Sequence, residues 1–164
     1  MPAHTYVDRN HENEIVERAF TEVLDGHDLE LIPELYAEDC LLYGMSGPEP
    51  IDREEYEAFL SMHFSAFPDL SFAIEETIAD GDRVSVRWTA RGTHEGALMD
   101  IPATGKSVAV TGISFVHVED GEIVEVYNNH DMLGLLQQLD AIPDSPRKIV
   151  RLMIGQLKGR LADR

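Results

Sequence analysis

The chain has 164 residues, 43% of them hydrophobic, which is typical of one globular domain and argues against a disordered chain. Its 31 acidic and 13 basic residues give a formal net charge of −18. This argues against general nucleic-acid binding, because phosphate contacts need Lys and Arg. A net charge this negative is compatible with a protein adapted to a high-salt cytoplasm and equally with an ordinary acidic protein.

Residue types also limit location and chemistry. No apolar run approaches membrane-spanning length and residues 1–10 lack a signal-peptide pattern, so we expect a cytoplasmic protein without a membrane partner. Cys40 is the single cysteine and lies among apolar residues, which predicts a buried thiol rather than a nucleophile. The seven histidines lack the short paired spacing of a zinc site, so we expect no metal.

The first half of the chain is mainly helical in pattern. The predicted elements are a helix over 10–24 ended by Gly26, a short helix over 28–36, a short strand over 41–45 and a helix from Asp52 to Phe67. Asp52 and Glu55 have the spacing of a capping box at the start of the last helix. Its apolar stripe includes His63 and Phe64, and can form core or the wall of a pocket.

Two strands follow, over 70–79 and 83–94, joined at Asp80-Gly81-Asp82. The second strand alternates between an apolar face, which includes Trp88, and a face with a row of arginines: Arg83, Arg87 and Arg91. These arginines can bind an anionic substrate, although pairing with carboxylates is favoured in so acidic a chain.

Residues 107–118 and 122–129 form a predicted hairpin around Glu119-Asp120-Gly121. A two-residue turn would place His117 opposite Val124, and a three-residue turn would place it opposite Ile123. In the second register one face extends to Asp131 and carries Thr111, Ile113, Phe115, His117, Ile123, Glu125, Tyr127 and Asn129. The opposite face is almost wholly aliphatic. Both faces of the sheet therefore need to be buried against other parts of the protein. This suggests helices packed on one side and a second chain on the other.

Four motifs follow one another along the chain: Phe67-Pro68-Asp69-Leu70, Arg91-Gly92-Thr93-His94-Glu95-Gly96, Ile101-Pro102-Ala103-Thr104-Gly105 and Asp131-Met132-Leu133-Gly134-Leu135-Leu136-Gln137-Gln138-Leu139. In this order they resemble the SnoaL-like polyketide cyclases and their ester-cyclase-like relatives, within the fold group of nuclear transport factor 2 and ketosteroid isomerase. The resemblance implies an α+β cone over residues 1–143, with a strongly curved, mostly antiparallel sheet on N-terminal helices, and a homodimer through the sheet.

Residues 144–164 form a separate predicted element, a basic amphipathic helix. It can lie on an anionic membrane, although docking on the acidic body or on a partner subunit is favoured.

The resemblance also implies cofactor-free acid/base chemistry, an aldol-type cyclisation or an isomerisation, on a small apolar carbonyl compound between helices and sheet. It matches Asp131 to the general base and His117 to a pocket histidine that polarises the carbonyl. The side chains expected to contact the substrate are Tyr43, Phe64, Trp88, Phe115, Tyr127 and Asn129.

Alternatives stay open for each of these roles. Asp131 is also a suitable helix N-cap, and His117 can be a surface residue near a hairpin tip. The domain as a whole can instead be a non-catalytic ligand-binding or dimerisation module, or a hydratase- or hydroxylase-like relative, because one fold hosts many functions.

Overall fold

The computed structural model describes residues 11–143 and 145. Within that part of the chain the elements are α1 (His11–Arg18), a π-helical continuation (Ala19–Asp25), a 3₁₀ turn (Leu29–Leu31), α2 (Ile32–Leu35), β1 (Tyr36–Tyr43), α3 (Arg53–Ala66), β2 (Ser71–Asp80), β3 (Arg83–Thr93), β4 (Ser107–Glu119), β5 (Glu122–His130) and α4 (Met132–Gln138). None of the described helices is long and apolar enough to span a membrane. The basic helix predicted after Pro146 lies outside the described residues.

The helices begin and end where the sequence predicts. Asp52 Oδ1 accepts a hydrogen bond from the Glu55 amide at 2.9 Å, while Glu55 Oε2 accepts one from the Asp52 amide at 3.1 Å. This capping box confirms the predicted start of α3 and satisfies two amides that have no partner within the helix. Gly26 ends the first helix, which buries Val16, Phe20 and Val23 against the sheet and α2.

The five strands form one curled sheet in the order β1-β5-β4-β3-β2. All pairs are antiparallel except β1 with β5, so the sheet is mixed and mostly antiparallel as predicted. The α+β fold is therefore the one expected from the sequence. Cys40 is fully buried in the core, which confirms the prediction of a buried thiol, and its burial raises the thiol pKa to about 12.

The β4–β5 hairpin differs from both predicted registers. Asp120 and Gly121 form a two-residue turn with φ of 50° and 85°, and Glu119 lies opposite Glu122. A bulge then follows, so that Val118 pairs with Ile123 but His117 pairs with Glu125. The bulge turns Ile123 inward into the core, whereas strict alternation predicts it on the face of Glu125.

The arginines of β3 lie on the outer face of the sheet. Arg87 Nε is 3.3 Å from Glu76 Oε2, and Arg83 Nε is 3.5 Å from Asp82 Oδ1. Both therefore pair with carboxylates, which is the interpretation that the acidic composition favours.

Candidate active site

The helices and the inner face of the sheet surround a cavity of about 130 Å³ that opens to solvent. This volume is below that of pockets for drug-sized ligands, so the cavity suits a small compound. Its wall is mainly apolar and aromatic, with contributions from Phe20, Tyr56, Phe59, Leu60, Phe72 and Val116. Polar side chains also reach it, from α3 and from the inner positions of β3, β4 and β5: His63, Trp88, Ser114, Asn128 and His130.

His63 lies one helical turn after Phe59 on the cavity side of α3. Its Nδ1 is 2.8 Å from the carbonyl oxygen of Phe59. Because a carbonyl can only accept, Nδ1 carries the proton, and the neutral imidazole keeps its lone pair on Nε2. Burial lowers the pKa of His63, and the nearby His130 lowers it further, against the hydrogen bond to Phe59. His63 is therefore a neutral group whose Nε2 can accept a proton.

His130 ends β5 and has the opposite tautomer. Trp88 Nε1 donates to Ser114 Oγ at 3.0 Å, and Ser114 Oγ donates to Asn128 Oδ1 at 2.9 Å. Asn128 Nδ2 then donates to His130 Nδ1 at 3.0 Å, so the proton of the neutral imidazole lies on Nε2. Burial lowers the pKa of His130, although Asp131 raises it. His130 is therefore a neutral hydrogen-bond donor.

Two tyrosines from β1 and α3 add phenol groups to the same wall. Tyr36 and Tyr56 have ring centroids 5.3 Å apart, and both are buried. Burial raises the pKa of Tyr56 to about 12 and that of Tyr36 well above its usual value. Both phenols therefore stay protonated at neutral pH. The cavity thus combines one basic imidazole nitrogen with several hydrogen-bond donors in an apolar surrounding.

The family model for SnoaL-like polyketide cyclases matches residues 14–139, which hold the cavity and all five strands. This chain belongs to that family. The match confirms the resemblance seen in the sequence. No match was found among curated proteins.

Solved structures of SnoaL-like proteins share the fold. AclR from Streptomyces galilaeus, named as a candidate hydroxylase, has a TM-score of 0.74 at 26% identity over 93% of this chain and 94% of its own. IdmH from Streptomyces antibioticus, named as a candidate polyketide cyclase, has a TM-score of 0.71 at 30% identity, over 80% of this chain and 99% of its own. A SnoaL-like protein from Jannaschia sp. has a TM-score of 0.75 at 24% identity, over 84% of this chain and 99% of its own. At this identity the similarity shows the fold alone.

Of the substrate-contacting residues expected from the sequence, Trp88 lines this SnoaL-like cavity. Phe64 is not in the cavity lining; it packs against the core and stacks on His27, with ring centroids 4.0 Å apart. Tyr43 stacks on Tyr127 at 4.5 Å outside the cavity. Phe115, Tyr127 and Asn129 line a groove on the outer face of the sheet. The structure thus separates the expected set between two faces.

Asp131 and His117 also lie outside the cavity lining. Asp131 is exposed, and its Oδ1 accepts a hydrogen bond from the Gly134 amide at 2.8 Å as the N-cap of α4. His117 Nε2 is 3.0 Å from Asp82 Oδ2 and 3.0 Å from Glu119 Oε1, beside two turns of the sheet.

The two residues are also far apart along β4. The Asp131 amide donates to the Thr111 carbonyl, and the six residues from Thr111 to His117 span roughly 20 Å of strand. The expectation that the two share one pocket is therefore corrected. Their catalytic roles stay predictions.

The choice of face was wrong because both faces of the hairpin are partly apolar. The inner face of β4 carries Gly112 and Ser114 between its valines, while the outer face carries Ile113 and Phe115. The residues that the sequence analysis missed are Ser114, Asn128 and His130. Their alternation with Val116 and Val126 was the signal, but the face that carries them was judged almost wholly aliphatic.

Proposed function

We propose that this chain is a cofactor-free enzyme that performs acid/base chemistry on a small, mostly apolar carbonyl compound in the cavity. The observation that carries the proposal is the pair of half-buried, neutral histidines with opposite tautomers, His63 with a basic Nε2 and His130 with an Nε2–H donor. A neutral base near neutral pH and a donor in a low-dielectric site are what removal of a proton next to a carbonyl requires.

The reaction has two steps on this arrangement. His63 Nε2 takes the proton from the carbon next to the carbonyl, and the electron pair moves to the carbonyl oxygen, which accepts a hydrogen bond from His130 Nε2–H. In a cyclisation the enolate carbon attacks a second carbonyl of the same molecule, and the new alkoxide takes the proton back from His63. In an isomerisation the proton returns to a different carbon.

The family supports the cyclisation, since IdmH is named as a candidate polyketide cyclase. A hydroxylase-like reaction is the second candidate, because AclR is 26% identical over nearly all of both chains. A non-catalytic ligand-binding domain is the third. The partly buried polar chain from Trp88 to His130 favours an enzyme over a passive binder, because it fixes one tautomer at the cavity wall.

Proton exchange tests the proposal without knowledge of the natural substrate. The carbon-bound protons of a panel of β-diketones and β-keto esters are followed by ¹H NMR in D₂O with the wild type, His63→Gln and His117→Gln. Enzyme-dependent exchange that is lost in His63→Gln and kept in His117→Gln supports the proposal. The reverse result supports the assignment of His117 and Asp131 predicted from the sequence. Circular dichroism checks that each variant is folded.

We also propose that the chain forms a homodimer through the outer face of the sheet. Ile113, Phe115 and Tyr127 are 51%, 43% and 47% exposed, and Phe115 pairs directly with Tyr127 across the strands. Adjacent exposed apolar side chains of this kind mark interaction surfaces. Light scattering with the wild type and Phe115→Glu tests it: a dimer that Phe115→Glu dissociates supports the proposal, and a wild-type monomer overturns it.

A further inference from the structure

Asp82, His117 and Glu119 converge beside two neighbouring turns of the sheet. Asp82 precedes β3 in the β2–β3 turn, and Glu119 ends β4 at the β4–β5 turn. The two turns lie at the same end because β3 and β4 are antiparallel neighbours, with Arg83 opposite His117. The Val118 amide also donates to the Asp82 carbonyl at 2.9 Å, which fixes the backbone of the first turn to β4.

His117 Nε2 lies between two carboxylates. Asp82 Oδ2 and Glu119 Oε1 are each 3.0 Å from this one nitrogen. An imidazole nitrogen carries at most one proton, so it can donate one straight hydrogen bond at that atom. The second carboxylate then receives no well-aligned hydrogen bond from Nε2. A cation in place of the proton would bind all three atoms.

We propose that Asp82, His117 and Glu119 bind one divalent first-row transition-metal ion, with Zn²⁺ as the reference ion. The three ligand atoms lie within 4.8 Å of one another. Zn²⁺ bonds of about 2.1 Å in a tetrahedral site place neighbouring ligand atoms about 3.4 Å apart, so the two carboxylate oxygens at 3.0 Å from Nε2 need to move outward by only a few tenths of an ångström. One imidazole with two carboxylates, completed by water, is a ligand set for Zn²⁺, Mn²⁺ or Co²⁺ rather than for a soft ion.

Burial and charge favour a site that is fixed but open. The His117 side chain is 12% exposed, whereas Asp82 and Glu119 are 55% and 58% exposed, so water can complete the coordination. Arg83 faces the other oxygen of Asp82, Oδ1, at 3.5 Å and reaches Glu125 at 4.0 Å. It therefore leaves Oδ2 for the ion, and the net charge of −18 attracts cations to the surface.

The site is structural rather than catalytic. None of its three residues lines the cavity. An ion held by the β2–β3 turn and by β4 links two hairpins that are far apart in sequence, so it stabilises the folded sheet over the unfolded chain. The sequence could not predict it, because 35 residues separate Asp82 from His117.

Zn²⁺ calorimetry and Co²⁺ visible absorption on the chelator-treated full-length chain test the proposal. The wild type is compared with His117→Gln and Glu119→Gln, and with Asp120→Asn, which removes one negative charge as Glu119→Gln does, as a control in the adjacent turn. We expect one ion per wild-type chain at this site, at least about tenfold weaker binding in the first two variants and unchanged binding in the control. No wild-type binding up to about 1 mM, or equal affinity in His117→Gln, would overturn it.

A second measurement keeps the test decisive if His117→Gln does not fold. ¹⁵N NMR of the wild type follows the imidazole nitrogens during the Zn²⁺ titration. A shift of the His117 Nε2 signal that saturates at one equivalent supports the site. Shifts confined to other histidines contradict it.

Discussion

The indole nitrogen of Trp88 donates a hydrogen bond to Ser114 Oγ at 3.0 Å, across two neighbouring strands of the sheet. This contact begins the polar chain that continues through Asn128 to His130. A core tryptophan thereby determines which nitrogen of His130 carries its proton. The packing of the sheet and the chemistry of the cavity are therefore coupled.

Ser114→Ala should break that chain. The substitution leaves Trp88 Nε1 and Asn128 Oδ1 buried without a partner, which costs about 1–3 kcal/mol of unfolding free energy. We also expect mixed tautomers at His130, seen by ¹⁵N NMR. Ser107→Ala, an exposed serine at the start of the same strand, is the matched control and should change neither property. A single Nε2–H tautomer in Ser114→Ala would contradict the role of the chain.

Gly112→Ala tests the close packing of the cavity floor. A Cβ atom at Gly112 would lie 2.2 Å from Cζ2 of Trp88, so the indole must move. Such overpacking costs about 1–3 kcal/mol, measured by urea unfolding. Gly47→Ala is the control, because a Cβ there has nothing within 4 Å and should leave the stability nearly unchanged. Equal stability of the two variants would show that Trp88 is free to shift.

Two substitutions of Asp131 separate capping from catalysis. Asn caps a helix about as well as Asp, so Asp131→Asn should keep both the stability and the proton-exchange activity. Asp131→Ala removes the hydrogen bond to Gly134 and should lower the stability by about 1 kcal/mol. Urea unfolding and the exchange assay measure these effects. A folded Asp131→Asn without activity would restore Asp131 as the general base.

The stability should fall in mildly acidic solution. His63 and His130 have pKa values below their ordinary 6.5 in the folded chain, because burial disfavours the charged imidazole. Below about pH 6.5 the unfolded chain binds more protons than the folded one, so stability is lost as the pH falls toward the folded pKa values. Urea unfolding between pH 5 and 8 should show a smaller loss in His63→Gln than in the wild type. Equal losses would mean that His63 titrates as it does in the unfolded chain.

Much of the fold follows from local sequence signals. The capping box at Asp52 fixes the start of α3, and the alternation of β3 correctly placed Val84, Val86 and Trp88 on the buried face. The Asp-Gly turn was also evident at Asp120 and Gly121. These features depend on neighbouring residues alone, so one sequence is enough to find them.

The cavity could not be assigned in the same way. Its polar groups depend on which face of a two-sided hairpin meets the helices, and the alternation of the strands does not decide that. The electrostatic effect of His130 on the pKa of His63 joins α3 to β5, which are far apart in sequence. His63 itself was visible in the apolar stripe of α3, but its tautomer depends on the Phe59 carbonyl, which only the helix geometry brings to Nδ1.

The most direct test of the central claim is a ¹⁵N NMR titration of His63 in the folded chain between pH 4 and 8. We predict a neutral imidazole with its proton on Nδ1 and a pKa below 6.5, so that Nε2 is a free base at neutral pH. An Nε2–H tautomer, or a pKa above 6.5, would contradict the assignment of His63 as the general base.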